Sequence, residues 1–180
     1  MEKLLYASDQ RLIPFADAEW IAGATCGHLH YQIAKGHIVP NAEDVTGVGT
    51  GCASFVTWQT MCQLAVFTVL RGMGIPPLDA GRAARVFTNE AGPRDRRPCA
   101  LYDAGETILL LSFGMEQDGS LYVAGANVCN QSANGGDMPA SPCHVFVNLG
   151  DIMQGLEKRA DVVIFMKGRP RKKAPPCLVA

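Results

Sequence analysis

The spacing of apolar residues changes along the chain, from a helical period before residue 88 to a strand-like one beyond about residue 100. In the first part, Ala16-Asp17-Ala18-Glu19-Trp20-Ile21-Ala22 predicts a short helix. Acidic residues occupy its opening turn, Trp20 and Ile21 point toward a core, and Gly23 stops it. A second short helix is expected from Thr25 to Lys35. Thr25 is its N-cap, Leu29, Ile33 and Tyr31 its anchors, and Gly36 stands where a left-handed C-cap is needed. Two helices this close form a helix-turn-helix. The stretch from Asn41 to Gly51 carries three glycines and no large side chain, so it predicts a hairpin turn or wing. Thr57 caps the longest helix, Trp58 to Met73, in which Trp58, Met61, Cys62, Ala65, Val66, Val69, Leu70 and Met73 recur at helical spacing. Gly74 closes it, and Pro76-Pro77 opens a short helix from Leu78 to Phe87 that exposes Arg82 and Arg85.

Further on, Thr107 to Phe113 and Ser120 to Ala124 flank Gln117-Asp118-Gly119. Asp-Gly supplies the positive φ angles of a tight β-hairpin. Asn127 to Pro142 is polar and rich in small residues and predicts a loop, and Cys143 to Val147 predicts a third strand. Asn148 caps a last helix, Leu149 to about Ala160, with Ile152, Met153 and Leu156 on one face. The pattern divides the chain into a helical domain (1–88), a linker (89–99) rich in proline and charge, a small α+β module (100–160) and a basic, flexible tail (161–180). No internal repeat is visible.

Composition narrows the function classes. The 180 residues, 48% of them hydrophobic, supply enough apolar surface for a true core. The seven cysteines are odd in number and include no C-x-x-C pair, so neither a disulfide framework nor a zinc ribbon is expected. Cys26 and His30 could share a helix face, but a metal site needs further ligands, and no metal or cofactor is expected. The first residues lack the basic and apolar regions of a signal peptide, and no stretch reaches the length of a membrane span. A cytoplasmic protein with no membrane partner is therefore expected. No Gly-rich phosphate loop after a strand, no G-x-S-x-G and no H-E-x-x-H occurs, and Cys143-His144 would point to opposite faces of a strand. The chain does not read as an enzyme.

Three segments resemble the MerR-type winged-helix family. They are Leu29-His-Tyr-Gln-Ile-Ala-Lys-Gly36-His-Ile-Val-Pro40, Phe55-Val-Thr-Trp58, and Leu70-Arg-Gly-Met-Gly74-Ile-Pro-Pro-Leu-Asp-Ala80. Together they cover roughly the first half of the chain. The resemblance implies an α+β fold: an N-terminal MerR-like winged helix-turn-helix, followed here by a small β-rich module with one helix. It also implies double-stranded DNA as partner, with the second helix in the major groove and the wing on the backbone. By that resemblance the DNA-binding candidates are Thr25, His28, His30, Tyr31, Gln32 and Lys35, with Thr46 and Thr50 in the wing. Arg71 is a candidate phosphate ligand. Between Arg11 and Val56 the chain holds two cations, Arg11 and Lys35, against Asp17, Glu19, Glu43 and Asp44. Local charge must therefore come from elsewhere, since cations supply most non-specific DNA affinity.

Lys167-Gly168-Arg169-Pro170-Arg171-Lys172-Lys173 resembles an AT-hook, whose Gly-Arg-Pro core lies extended in a narrow minor groove. That adds Arg169, Arg171 and Lys172 to the candidates. The expectation is a sequence-specific transcriptional regulator, dimeric through its C-terminal module because three strands cannot cover both faces of a sheet. That module could also take a small-molecule or protein effector. The alternative is an accessory or adaptor protein of a phage or mobile element, similar to excisionases or small terminase subunits, whose acidic winged helix contacts protein as much as DNA.

Overall fold

The computed structural model describes residues 12–25, 27–45, 47, 54–90, 97–103, 106–130 and 143–168, with the backbone alone for 163–168. Residues 1–11, Thr46, Thr50, Cys26, most of the expected linker, the greater part of the expected 127–142 loop, and Arg169, Arg171 and Lys172 lie outside the described residues. Among the described residues, five helices and two small antiparallel sheets follow one another in a mixed α and β arrangement.

The helical part begins with β1 (Ile13–Pro14) and α1 (Phe15–Ala22), then α2 (His28–Ala34), β2 (Phe55–Val56), α3 (Trp58–Gly72) and α4 (Pro77–Thr88). The pair β1 and β2 is too short to leave a periodic signature. Phe55 nevertheless pairs with Pro14 on one side and Val45 on the other, so three segments meet at the base of the expected wing. The predicted ends of α3 are close to those observed, and its Thr57 side chain accepts from the Thr60 amide. Its buried face is broader than the expected stripe. Leu64 and Phe67 join Met61, Cys62, Ala65, Val66 and Leu70 in the core, whereas Val69 and Met73 are exposed. In α1 the register also differs: Trp20 is exposed, while Glu19 is buried beside Phe15, Ala18, Ile21 and Ala22.

The second part contains β3 (Thr107–Met115), β4 (Leu121–Asn130), β5 (Cys143–Asn148) and α5 (Leu149–Gly168). The hairpin forms around Asp118-Gly119, with Gly119 at φ +84° and the Asp118 carboxylate accepting from the Ser120 hydroxyl and amide. Those bonds, the hydroxyl's first, hold the Asp118 carboxyl below its ordinary range. The strand β4 runs on to Asn130, so residues 127–130 belong to the sheet and not to a loop; Asn127 pairs with Leu110 and Asn130 with Thr107. Similarly, α5 continues beyond Ala160 to Gly168, so the expected boundary of the tail at 161 falls inside a helix. Asn148 caps that helix as expected, its Oδ1 accepting from Gly150 and Asp151.

The sheet order is β4-β3-β5. One face carries Leu109, Leu111 and Phe113, with Val128 and Val147 opposite Leu109 on the flanking strands. These residues lie in the same hydrophobic cluster as Leu29, Met61, Phe67 and Phe87 of the helical part and Leu149, Met153 and Leu156 of α5. The chain's own helices thus cover this face, with α4 packed on β4 and α5 on β3. The expectation that the sheet needs a second copy for cover therefore concerns its other face alone, where Phe146 and Tyr122 are exposed.

Candidate nucleic-acid interface

The turn between α1 and α2 is built from glycine. Gly23 at φ +73° ends α1 and bonds back to the Trp20 carbonyl, and Gly27 at φ +76° opens α2. Thr25 is exposed and does not cap α2. The cap comes from across the turn. Glu19 extends its carboxylate from α1 so that Oε2 accepts from the Gly27 amide at 2.9 Å and Oε1 from the Leu29 amide at 2.8 Å. A carboxylate left 4% exposed is costly unless it is hydrogen-bonded, and here both oxygens are used, at the end of the helix where negative charge is favoured. Glu19 thereby fixes how α2 leaves α1, and Trp20 beside it turns outward.

On α2, Leu29 is fully buried and Ile33 packs at the edge of the core. Opposite them lies an exposed face of His30, Tyr31, Ala34 and Lys35, in which the pairs 30/34 and 31/35 stand one turn apart. The His30 ring rests on the Phe15 ring at 4.5 Å between centroids, and the Lys35 ammonium lies 5.7 Å over the Tyr31 ring. This face therefore presents an imidazole, a phenol and one cation with restricted freedom.

Gln32 is not part of that face. It is 5% exposed, facing His28 Nε2 through its amide nitrogen at 3.2 Å and His37 Nδ1 through its carbonyl oxygen at 2.7 Å. The amide donates to His28 and accepts from His37, so both its ends are engaged inside, and its burial keeps it from the outer face. His28 and His37 are half-buried and lie against the Phe67 ring, with centroids 6.0 and 6.2 Å away. Of the α2 candidates, the structure brings His30, Tyr31 and Lys35 together outside and sets His28 and Gln32 inward.

The segment leading to β2 is tied to α3 through Asp44. Its Oδ1 accepts from the Thr57 amide at 2.7 Å, and its Oδ2 from the Thr60 hydroxyl at 2.6 Å and the Asn41 amide at 2.8 Å. At the far end of α3, Arg71 is exposed but donates to the Ile75 carbonyl, which closes the helix terminus. Lys167 and Gly168, the first two residues of the hook-like run, lie in the last turn of α5 and not in extended chain. Among the described residues no cluster of three His, Cys, Asp or Glu side chains could hold a metal, and no helix is long and apolar enough to cross a membrane.

No protein family and no curated protein matches the chain in sequence comparison. Glu19, His37 and Asp44 shape this candidate interface without contacting its outer surface, and local sequence carried no sign of that role. Their partners lie between 3 and 16 positions away or across a ring stack, beyond any local motif.

Proposed function

We propose that the chain is a sequence-specific DNA-binding regulator that reads duplex DNA with the outer face of α2. The observation that carries this reading is the restrained His30-Tyr31-Lys35 face on a helix fixed to α1 by the Glu19 carboxylate, with the segment leading to β2 tied to α3. Such a face is compatible with groove contact, since a short second helix presenting a few polar side chains is how helix-turn-helix proteins read bases. A homodimer would place two such helices on two half-sites, and the sheet face bearing Phe146 and Tyr122 would join the copies.

A second reading rests on charge. Lys35 is the one Lys or Arg between residues 12 and 45, and Trp20 and Tyr31 are both about half exposed. Aromatic surface poor in cations suits a protein partner, as an accessory or adaptor would have. Fluorescence anisotropy with duplex DNA at several salt concentrations separates the two. For the regulator, a chain ending at Gly168 still binds, Lys35→Ala lowers the salt slope by about one, and His30→Ala weakens binding. Binding that disappears with residues 169–180 and ignores both substitutions assigns α2 to protein contacts.

A further inference from the structure

Cys62 and Cys99 stand apart from the proposed DNA contacts. Cys62 lies in the middle of α3, fully buried, with its thiol 3.8 Å from the Met153 sulfur of α5. Burial foremost, then a hydrogen bond with the Cys99 thiol, hold the Cys62 thiol well above the ordinary cysteine range. Cys99 is half-buried in the segment that leads to β3. Its backbone is held at φ +60°, the one non-glycine residue at positive φ among the described residues. A left-handed backbone is unfavourable for a cysteine and persists only where its surroundings impose it.

The imposing contacts can be named. The Cys99 amide donates to the Phe87 carbonyl at 3.1 Å, and its thiol lies 3.8 Å from the Thr88 carbonyl. That same carbonyl accepts from the Gln59 side chain at 2.7 Å, and Gln59 precedes Cys62 by one turn on α3. The Cys99 sulfur and the Gln59 side chain therefore meet at one carbonyl, one turn along α3 from Cys62.

We propose that Cys62 and Cys99 form an oxidation site, closing a disulfide between α3 and the segment before β3 when the protein meets a hydroperoxide. The part-exposed Cys99 thiol gives up its proton, and its sulfur attacks the peroxide, breaking the O–O bond to give the Cys99 sulfenic acid and hydroxide, which takes up that proton as water. The Cys62 thiolate then attacks that sulfur, the S–S bond forms, and hydroxide leaves with the thiol's proton as a second water. Two thiols and one hydrogen peroxide thus yield one disulfide and two waters. Cys62, shielded and reluctant to ionise, acts as the resolving thiol, so closure quickens as pH rises.

The test uses the full reduced chain treated with hydrogen peroxide. Remaining thiols are blocked with N-ethylmaleimide in denaturant, and the digest is mapped by mass spectrometry without reduction. The expected product is a Cys62–Cys99 linked peptide, formed at a rate independent of protein concentration and faster at higher pH. It is absent in Cys99→Ser, where Cys62 stays alkylatable. Oxidation should also raise the thermal midpoint by several degrees, because a closed loop restricts the unfolded chain. Cys62→Ala serves as second variant: here peroxide should leave Cys99 as sulfenic acid, trapped by dimedone. The proposal fails if wild-type Cys99 is recovered alkylated, over-oxidised, or linked to Cys129 or Cys143.

Discussion

Two single residues decide how the helices approach one another. Glu19 supplies both bonds that the α2 start receives from a side chain, to the Gly27 and Leu29 amides. Glutamine keeps the shape but sets an N–H2 group against one of those amides, leaving a buried donor without a partner. Glu19→Gln should destabilise the fold by about 1–3 kcal/mol, read as a lower urea midpoint; an unchanged midpoint would show the carboxylate to be dispensable. Gly81 poses the opposite question. Alanine is favoured over glycine inside a helix by about 1 kcal/mol, yet a Cβ at Gly81 of α4 would stand 2.2 Å from the His37 carbonyl oxygen. The obstacle is backbone, so α4 would have to move away. Overpacking should dominate, and Gly81→Ala is expected to cost about 1–3 kcal/mol net. Gly72→Ala meets nothing within 4 Å and should be neutral or slightly stabilising, which makes it the control in the same unfolding series.

Among the elements, α3 depends on the loop before it more than on its own cap. The Thr57 hydroxyl accepts from the Thr60 amide at a long 3.4 Å, whereas Asp44 takes three shorter bonds. Asp44→Ala should therefore cost more than Thr57→Ala, about 1–3 kcal/mol against about 0.5–1; equal losses in denaturant unfolding would contradict this ranking. The ends of α3, the Gly36 and Gly74 turns and the Asp118-Gly119 hairpin were legible in the sequence because each is set by neighbouring residues. The outer face of α2 was legible only in part: the resemblance marked His30, Tyr31 and Lys35 as contacts, but Tyr31 was also expected to anchor the helix, and at 56% exposed it does not. What could not be read depends on remote partners. Glu19 displaces Trp20 from the inner face because amides eight and ten residues later satisfy it. Gln32 turns inward because His28 and His37 occupy both ends of its amide. The polar run from Asn127 to Asn130 looks like loop alone, but pairing with β3 makes it strand.

At the scale of the whole molecule, the helical and sheet parts share one core. Leu156 of α5 is fully buried in the cluster that also holds Met61 and Phe67. Removing its side chain should cost about 2–5 kcal/mol. Both tryptophans, Trp20 and Trp58, lie in the helical part. Fluorescence should therefore report that loss as fully as circular dichroism does, in one transition. A tryptophan midpoint unmoved by Leu156→Ala would mean that the two parts unfold independently.

The contact between first and last helices has a temporal side. Arg159 of α5 donates to the Ile21 carbonyl of α1 across 138 positions, and Cys62 meets Met153 across 91. Local contacts such as those of α1 with α2 can form as soon as that stretch of chain is available, but the α5 cover over α3 follows it by many residues, Met153 coming 91 positions after Cys62. During translation the apolar flank of the helical part must therefore wait, uncovered, until α5 has been made. In a growing cell the protein is most exposed to aggregation in that interval.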